Sequence, residues 1–591
     1  MNRAVSQAYD PITVEVIRNR LISIVLQMAA VMERTAYTII FSEFKDFSCA
    51  VCDGELRMVA TSVSDFGCPM HTGGMPLSLQ AIADTIGLEN IRPGDILCTN
   101  DVEMGGTHLP DFVITQPVFF EGELVAFTLN RAHHMDTGGA TPGSAVPDAR
   151  SIYAEGISVP PIKLYSEGKL NRDIFELILR NVRLKEQRGD FAAMVASVKR
   201  GAAEIEELIG KYGIDTYRQA LKWAYEYSEK RLKSAIKQLP EGVYYGESFG
   251  EHDGLQDKDY LINLKVEVQD GEIVFDFSGS DPQAPGSSNC TLSITAAAAM
   301  TAAIAVLDPY VPINFGVYKP LKFVTPYGSI TNCIWPAATM NGNTDTSNKI
   351  IDAVFRVFMQ IVPDKVCAAE HSCTNSAVIY GVDKETREQY MLYSSAHGGW
   401  GGKKGKDGHS ATDFLPGGTA QLLPVEVMEA KSRAMTKSMR ILTDSGGPGQ
   451  WRGGSALEWT VMTDPERPHT AEVTVIAERR RIPAWGAMGG RPGIEQLSYV
   501  VQKDGSRKIL PTKGHFFLEP GEIMVLSAPG AGGYGDPLER KPEAVLRDVV
   551  EGFVSVESAR EDYGVIIDPS SLTIDWEETS ATRARKTERG G

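Results

Sequence analysis

From Arg172 to Leu239 the apolar residues recur at helical spacing, and on both sides of that stretch they fall into short β-type runs cut by glycine and proline. This change of period confines the chain to a mixed architecture. Ile174, Leu177, Ile178, Phe191, Met194, Val195, Val198, Ile205 and Leu208 mark the helical stretch, which Gly210 and Gly213 interrupt. Near the N-terminus, Asp10-Pro11 is a helix start signal for an amphipathic segment carrying Val14, Ile17, Leu21, Ile24, Val25, Met28 and Met32. From Phe41 to Phe127 the texture is β-rich, with DILCTN, DFVITQPVFF and GELVAFTLN as strands and the glycine of EGELV as a tight turn. After Pro240-Glu241-Gly242 the β texture returns in LINLKVEVQDGEIVFDFSGS, a hairpin turned at Asp270-Gly271. An alanine-rich helix near Thr295 to Val306, further strands and the late strand GEIMVLSAP follow. PEAVLRDVVEG and SVESAREDYGV read as two short helices, with Ser555 or Ser558 as a cap, and TSATRARKTERGG reads as disordered.

The expected class is therefore α+β: a β-rich multidomain chain with a central helical region and short C-terminal helices. Its expected units are an N-terminal helix and β-rich part (1–171), the helical region (172–240), a second β-rich domain (241–540), C-terminal helices (541–575) and a disordered tail (576–591). At 591 residues, and ~150 per domain, two to four units are the expected count. A formal charge of −17 argues against non-specific nucleic-acid binding, which needs basic surface. Leu21–Met32 and the alanine-rich Leu292–Leu307 are both shorter than the ~20 apolar residues that span a bilayer. MNRAVSQAYDPIT shows no apolar leader, so the expected location is cytoplasmic. Eight cysteines in such a length do not make a disulfide framework, and the CxxC of Cys49 and Cys52 lacks a second ligand pair for zinc.

The densest polar cluster is NDVEMGGTHLPDF, Asn100 to Phe112, followed across a strand pair by NRAHHMDTGGATPGS, Asn130 to Ser144. A metal ion needs a few imidazoles or carboxylates converging at about 2 Å, and adjacent strand ends can deliver them. His108 and Asp111 stand three apart, and His133 lies across the hairpin, so two histidines and a carboxylate are available with positions left open for water and substrate. The competing reading is that loop histidines merely satisfy backbone carbonyls. Four of the chain's ten histidines lie in the N-terminal β region and three of them in this cluster, which weakens that reading. Asp46, set among apolar residues in FSEFKDFSCAVCDG, is open to three readings: ligand, base or turn cap.

Other motifs carry less. GAGGYG (Gly530–Gly535) has the dinucleotide spacing, but Asp536-Pro537 follows where a helix should open, so a tight turn is expected. HGGWGGKKGKDGHS (His397–Ser410) contains no complete phosphate-loop pattern. GESFG matches a nucleophile elbow at Ser248 without the strand-to-helix context. Glu204, Glu206 and Glu207 read as a solvated helix face.

The wording of several stretches resembles the hydantoinase B family, which includes subunits of N-methylhydantoinase, 5-oxoprolinase, caprolactamase and acetone or acetophenone carboxylase. The likeness runs nearly the full length through EFKDFSCAVCDGE, the two cluster segments above, EGISVPPIKLYSEG, NVRLKEQRGDFAAMVAS, FDFSGSDPQAPGSSN, GPGQWRGGS, APGAGGYGDPLER and DVVEGFVSVESAREDYGV. The resemblance implies a divalent metal (zinc, manganese or iron) on His108, Asp111 and His133. It also implies that His134 and Asp136 orient water or substrate and that Asp46 approaches the same site. Where the family commonly reads NDP and an aromatic, this chain has Asn100-Asp101-Val102 and then Glu103-Met104, a departure that bears on substrate preference.

By the same resemblance, ATP and magnesium belong to a separate hydantoinase A type subunit, in a hetero-oligomer. That partner phosphorylates the carbonyl oxygen of a cyclic amide, a lactam, hydantoin or oxoproline. A metal-bound water, its pKa lowered from about 15.7 toward ~7, then opens the ring. The chain length sits closer to the cyclic-amide hydrolases than to the longer acetone carboxylase subunit, which favours hydrolysis. ATP-dependent carboxylation of a ketone and a non-catalytic scaffold role are the alternatives.

Overall fold

The structure, a computed structural model, describes residues 10–64, 66–383 and 386–588; the opening nine residues, on which the reading of no leader rests, lie outside the described residues. Helix α1 (Pro11–Thr35) starts where Asp10 accepts the N–H groups of Ile12 and Thr13, with Pro11 in the first turn. Its buried stripe, Val14 to Met32, packs on α4 (Gln187–Tyr212) of the central helical region, which also holds α3 (Arg172–Asn181) and α5 (Ile214–Ile236).

These helices cover one face of a seven-stranded antiparallel sheet. Its strands are β1 (Phe47–Asp53), β2 (Met58–Thr61), β3 (Ile96–Thr99), β4 (Asp111–Phe120), β5 (Glu123–His133), β6 (Ile162–Ser166) and β7 (Lys169–Leu170), in the order β2-β1-β5-β4-β3-β6-β7. The β4–β5 turn puts Glu121 and Gly122 at φ 49° and 86°, the paired positive angles of a type I′ hairpin. Its register sets Asp111 directly opposite His133.

One element departs from the β-rich reading of 41–127. Helix α2 (Pro69–Ile86) runs through Gly73, Gly74 and Pro76, residues that read as turn punctuation. The glycines serve close approach instead. A Cβ on Gly73 would collide with Ala297 on the alanine-rich helix α6 (Leu292–Leu307), and one on Gly74 with the Arg131 guanidinium.

Two further sheets carry the second β-rich part around the cavity described below. One pairs Gly242–Gly250, Tyr260–Gln269, Glu272–Asp276 and Leu321–Val324; its hairpin turns at Asp270-Gly271 with φ 52° and 75°. The other pairs Gln389–Ser395, Ser376–Val382, Ala471–Ile476 and Lys513–Leu518. A five-stranded sheet contributes Trp459 and Leu526 to a core that also contains Val14, Phe112 and Met194, so one apolar cluster joins the first sheet, the helices over it and the C-terminal strands. The chain is α+β. No described helix is long and apolar enough to cross a membrane.

The glycine-rich segments meet one another. Gly402 donates its N–H to Gly532 and Gly454 to Trp400, and a Cβ on Gly399, Gly453 or Gly533 would run into backbone of a neighbouring segment. Their amides are engaged in this crossing of loops. Ser248 lies inside a strand and its hydroxyl donates to Asp352, 3.4 Å away; no helix follows it. Cys49 and Cys52 sit in different apolar clusters.

The tail from 576, read as disordered, is a helix over Trp576–Glu588. Asp575 accepts the N–H of Glu578 at its start, Thr579 is buried, and Arg583 donates to the carbonyls of Tyr563 and Arg540. Docking of a few polar side chains, invisible to apolar periodicity, orders it. Residues 589–591 lie outside the described residues.

Candidate metal centre

Three adjacent strand ends converge at the head of the first sheet. Asp46 immediately precedes β1, Asp111 opens β4 and His133 closes β5; the backbone N–H of His133 donates to the carbonyl of Asp46 at 3.0 Å. Asp46 is turned inward by a π-helical turn, Ile40–Phe44, and by Lys45 at φ 66°. His108 arrives on the loop before β4, which Asn100 holds by donating to the carbonyls of Leu109 and Ile157 and accepting from Val159 N–H. Arg131, wholly buried, donates to the carbonyls of Gly74 and Gly105 and to Ser78 Oγ, pinning the same loop to α2.

His108 Nε2 lies 2.9 Å from Asp111 Oδ1 and 3.1 Å from His133 Nδ1, and His133 Nδ1 lies 3.4 Å from Asp111 Oδ1. Bonds of ~2.1 Å at octahedral or tetrahedral angles put ligand atoms ~3.0–3.4 Å apart, so these three atoms have the spacing of one face of a metal's coordination shell. His108 Nε2 also meets the side-chain amide of Asn343 at 3.2 Å, so Asp111, His133 and Asn343 all converge on one imidazole nitrogen. The residues fit a divalent cation.

Burial pushes the Asp111 carboxyl up, but the imidazoles of His108, His133 and His71 outweigh it and hold that carboxyl well below its usual range. Burial lowers His133, and its bond to Asp111 and the charges of Asp46 and Asp111 reverse this and raise it. A second group, Asp46, Cys68 and His71, faces the first: His71 Nε2 stands 3.6 Å from Asp111 Oδ2 and 3.8 Å from Asp46 Oδ1. Both groups share one cavity, closed on its other sides by Asn343, Tyr393 and Asp413, with about 30 Å³ free, space for a water or two.

His134 and Asp136 are not brought to this cavity. Successive strand residues point to opposite faces, so with His133 inward His134 faces α4. There its ring packs among Phe41, Phe112 and Phe191, Gln187 Nε2 contacts its Nδ1 at 3.2 Å, and burial holds its pKa down to about 3. Asp136 accepts the N–H groups of Gly138, Gly143 and Arg183 and the Arg183 guanidinium at 2.9 Å, organising its own loop.

The model of the family described as Hydantoinase B/oxoprolinase matches residues 10–537. The chain belongs to the hydantoinase B/oxoprolinase family. Within that family, one of the subunits of a putative D-/L-hydantoinase from a Pseudomonas species is 33% identical over 97% of this chain and 98% of its own. The 5-oxoprolinase of Dictyostelium discoideum is 28% identical over 90% of this chain but only 41% of its own length. The crystal structure of the ATP-dependent caprolactamase of Pseudomonas jessenii superposes with a TM-score of 0.91, at 28% identity over 98% of this chain and all of that one. A nucleotide-free acetone carboxylase chain shares the fold at TM-score 0.89, 21% identical over 98% of this chain and 83% of that one.

In this member of the family several residues at the site escape a sequence reading. His71 is the fourth histidine of the N-terminal region, and its own neighbours, Pro69 and the two glycines, disguise the helix that carries it. Asn343 sits in a second π-helical turn, Gly342–Thr346, within a run of buried polar residues that reads as a loop. Glu155 supports that segment by accepting the N–H groups of Thr339 and Met340.

Burial raises Glu155 and Glu370 each to about 8, well above the ordinary 4.5. Between those values the folded chain binds more protons than the unfolded one, so stability falls as pH rises. The opposing buried histidines His134, His371 and His397 act only below their ordinary 6.5. Urea unfolding of the metal-stripped chain is therefore expected to show decreasing stability from pH 6.5 to 8, with a shallower slope in Glu155→Gln. A slope unchanged by that substitution counts against the assignment.

Proposed function

We propose that this chain is the metal-bearing subunit of an ATP-dependent enzyme that opens a cyclic amide (a lactam, hydantoin or oxoproline), with ATP and magnesium handled by a hydantoinase A type partner. The observation that carries this reading is the His108–Asp111–His133 triangle buried at the end of the first sheet. Full-length similarity to a protein named an ATP-dependent caprolactamase supports the reaction class. The 5-oxoprolinase that extends far beyond the matched part supports a division of labour with a second unit.

His108, Asp111 and His133 would hold the ion, and bound there it would polarise a carbonyl or phosphoryl oxygen and lower the pKa of water. The protein's own groups do the rest. Asp46, only partly buried and 4.0 Å from His133 Nδ1, is placed to accept a proton from attacking water. Thr107 donates its hydroxyl to Asp111 Oδ2 and fixes which carboxylate oxygen faces His108. The apolar walls of Phe44, Met70 and Phe414 exclude bulk water around the reacting carbon.

The test is purification of the chain with its partner. One divalent ion bound by this chain and ring opening that needs ATP are the expected results, scored with caprolactam, 5-oxoproline and hydantoin. Ring opening by this chain alone without ATP, or bicarbonate carbon appearing in a ketone-derived product, would overturn the reading.

A further inference from the structure

The cavity has a second functional wall. Asp413 lies across it from the three-residue triangle, 6% exposed, and its Oδ2 has no hydrogen-bond partner. Its oxygen Oδ1 is 3.7 Å from His397 Nε2, another buried polar atom without a partner. The residue is not loosely placed. Trp400 Nε1 donates to the Asp413 carbonyl at 2.6 Å, and Oδ2 rests so close over Gly417 that any Cβ there would collide with it. A buried carboxyl oxygen without a partner is costly, and in a cavity that as it stands has room for a water or two, a polar group that the substrate brings in is the partner it lacks.

We propose that Asp413 binds the ring nitrogen of the substrate and delivers the proton that lets the carbon–nitrogen bond break. This rests on the cyclic-amide reading above. Once the partner has moved a phosphoryl group from ATP to the carbonyl oxygen, the ring carbon is doubly bonded to nitrogen, which keeps its own proton, and carries a phosphate. Water adds to that carbon, giving one proton to Asp46; the π pair moves to nitrogen, and the amine so formed takes the proton of Asp413 and becomes an ammonium group. The carbon–nitrogen bond then breaks with its electron pair on nitrogen. The hydroxyl re-forms a C=O bond and passes its proton back to Asp413. The products are a primary amine and an acyl phosphate, which water hydrolyses, and the proton on Asp46 leaves to solvent.

The proton decides the outcome. Phosphate is the better leaving group, so an unprotonated nitrogen would expel it, regenerate the cyclic amide and waste the ATP. Burial, against an opposing bond from Phe414 N–H and reinforced by the charge of Asp46, raises the Asp413 carboxyl well above its usual range, which favours the form that has a proton to give.

The two-subunit enzyme, given caprolactam, 5-oxoproline and hydantoin in turn, tests this through the ATP hydrolysed per ring opened. Asp413→Asn is expected to slow ring opening ~100-fold or more, the scale of a lost general acid, while ATP hydrolysis stays within ~3-fold and metal content and melting temperature hold. Asp413→Glu, which keeps a proton to give, is expected to recover at least ~10-fold over Asn. Asp413→Asn with an unchanged ratio of ATP to product overturns the proposal, as does a proportionate loss of both activities together with the metal. A wild-type enzyme that opens none of the rings fails the cyclic-amide reading itself, and the role of Asp413 falls with it.

Discussion

Asp111→Asn is expected to leave the purified chain without its divalent ion and the two-subunit enzyme without ring-opening activity, a loss beyond the ~10–100-fold that removal of an outer-shell partner costs. The substitution preserves shape and removes the one negative charge that touches His108 and His133 together. It also weakens the contact with Asp111 that, together with the charge of Asp46, holds His133 raised, so both imidazoles lose the group that orients them. Metal analysis after dialysis, followed by turnover with added manganese, zinc or iron, reads the effect. His134→Leu is the matched control. That ring neighbours His133 in sequence but faces α4, so metal content and turnover are expected to stay near wild type with only a modest fall in stability. If His134→Leu empties the site while Asp111→Asn does not, the ligand assignment is wrong.

The second large effect lies behind the cavity. Lys513 donates to Glu478 and stands 3.4 Å from Asp345, and Lys349 stands 3.7 Å from Glu478; all four side chains are 2% exposed or less. Lys513→Met leaves two buried carboxylates facing one ammonium group, and the expected cost is ~3–5 kcal/mol in urea unfolding of the isolated chain. The double variant Lys513→Met, Glu478→Met, which removes a pair rather than one partner, is expected to be less destabilised than Lys513→Met alone. Asp345 belongs to the same π-helical turn as Asn343, so the single variant is also expected to hold its metal more weakly. A Lys513→Met chain of wild-type stability would show that the cluster is compensated elsewhere.

Much of the architecture was legible because it depends on local period and turn chemistry. The helical stretch after Arg172, the hairpin at Asp270-Gly271 and the β4–β5 hairpin that pairs Asp111 with His133 all appear where period and turn residues place them, except that only Gly213 ends a helix and Gly210 stays inside α4. Helix α2 was not legible, since its glycines answer to Ala297 and Arg131, residues far off in the chain. The helix at Trp576 escaped for the same reason, being held by Thr579 and Arg583 rather than by an apolar stripe. At the site, His108, Asp111 and His133 announce themselves by clustering around one hairpin. His71, Asn343 and Asp413 come from three other places in the chain, and only the tertiary fold puts them around the same space. Sequence adjacency misled once: His134 and Asp136 follow His133, but the pleat of a strand sends neighbours apart.

The two π-helical turns, Ile40–Phe44 before Asp46 and Gly342–Thr346 around Asn343, differ in evolutionary meaning. A π-turn is an α-helix carrying one surplus residue, and each residue turns a helix by about 100°. Ile40–Phe44 stands apart from the helix that ends at Thr35. Gly342–Thr346 runs straight into the helix Ser347–Ile361, so removing a single codon there is expected to leave a regular helix while swinging Asn343 out of the cavity. Such a deletion separates folding from chemistry in one step, so a duplicated copy of this gene stands one small frame-preserving deletion away from a well-folded subunit with a silent site.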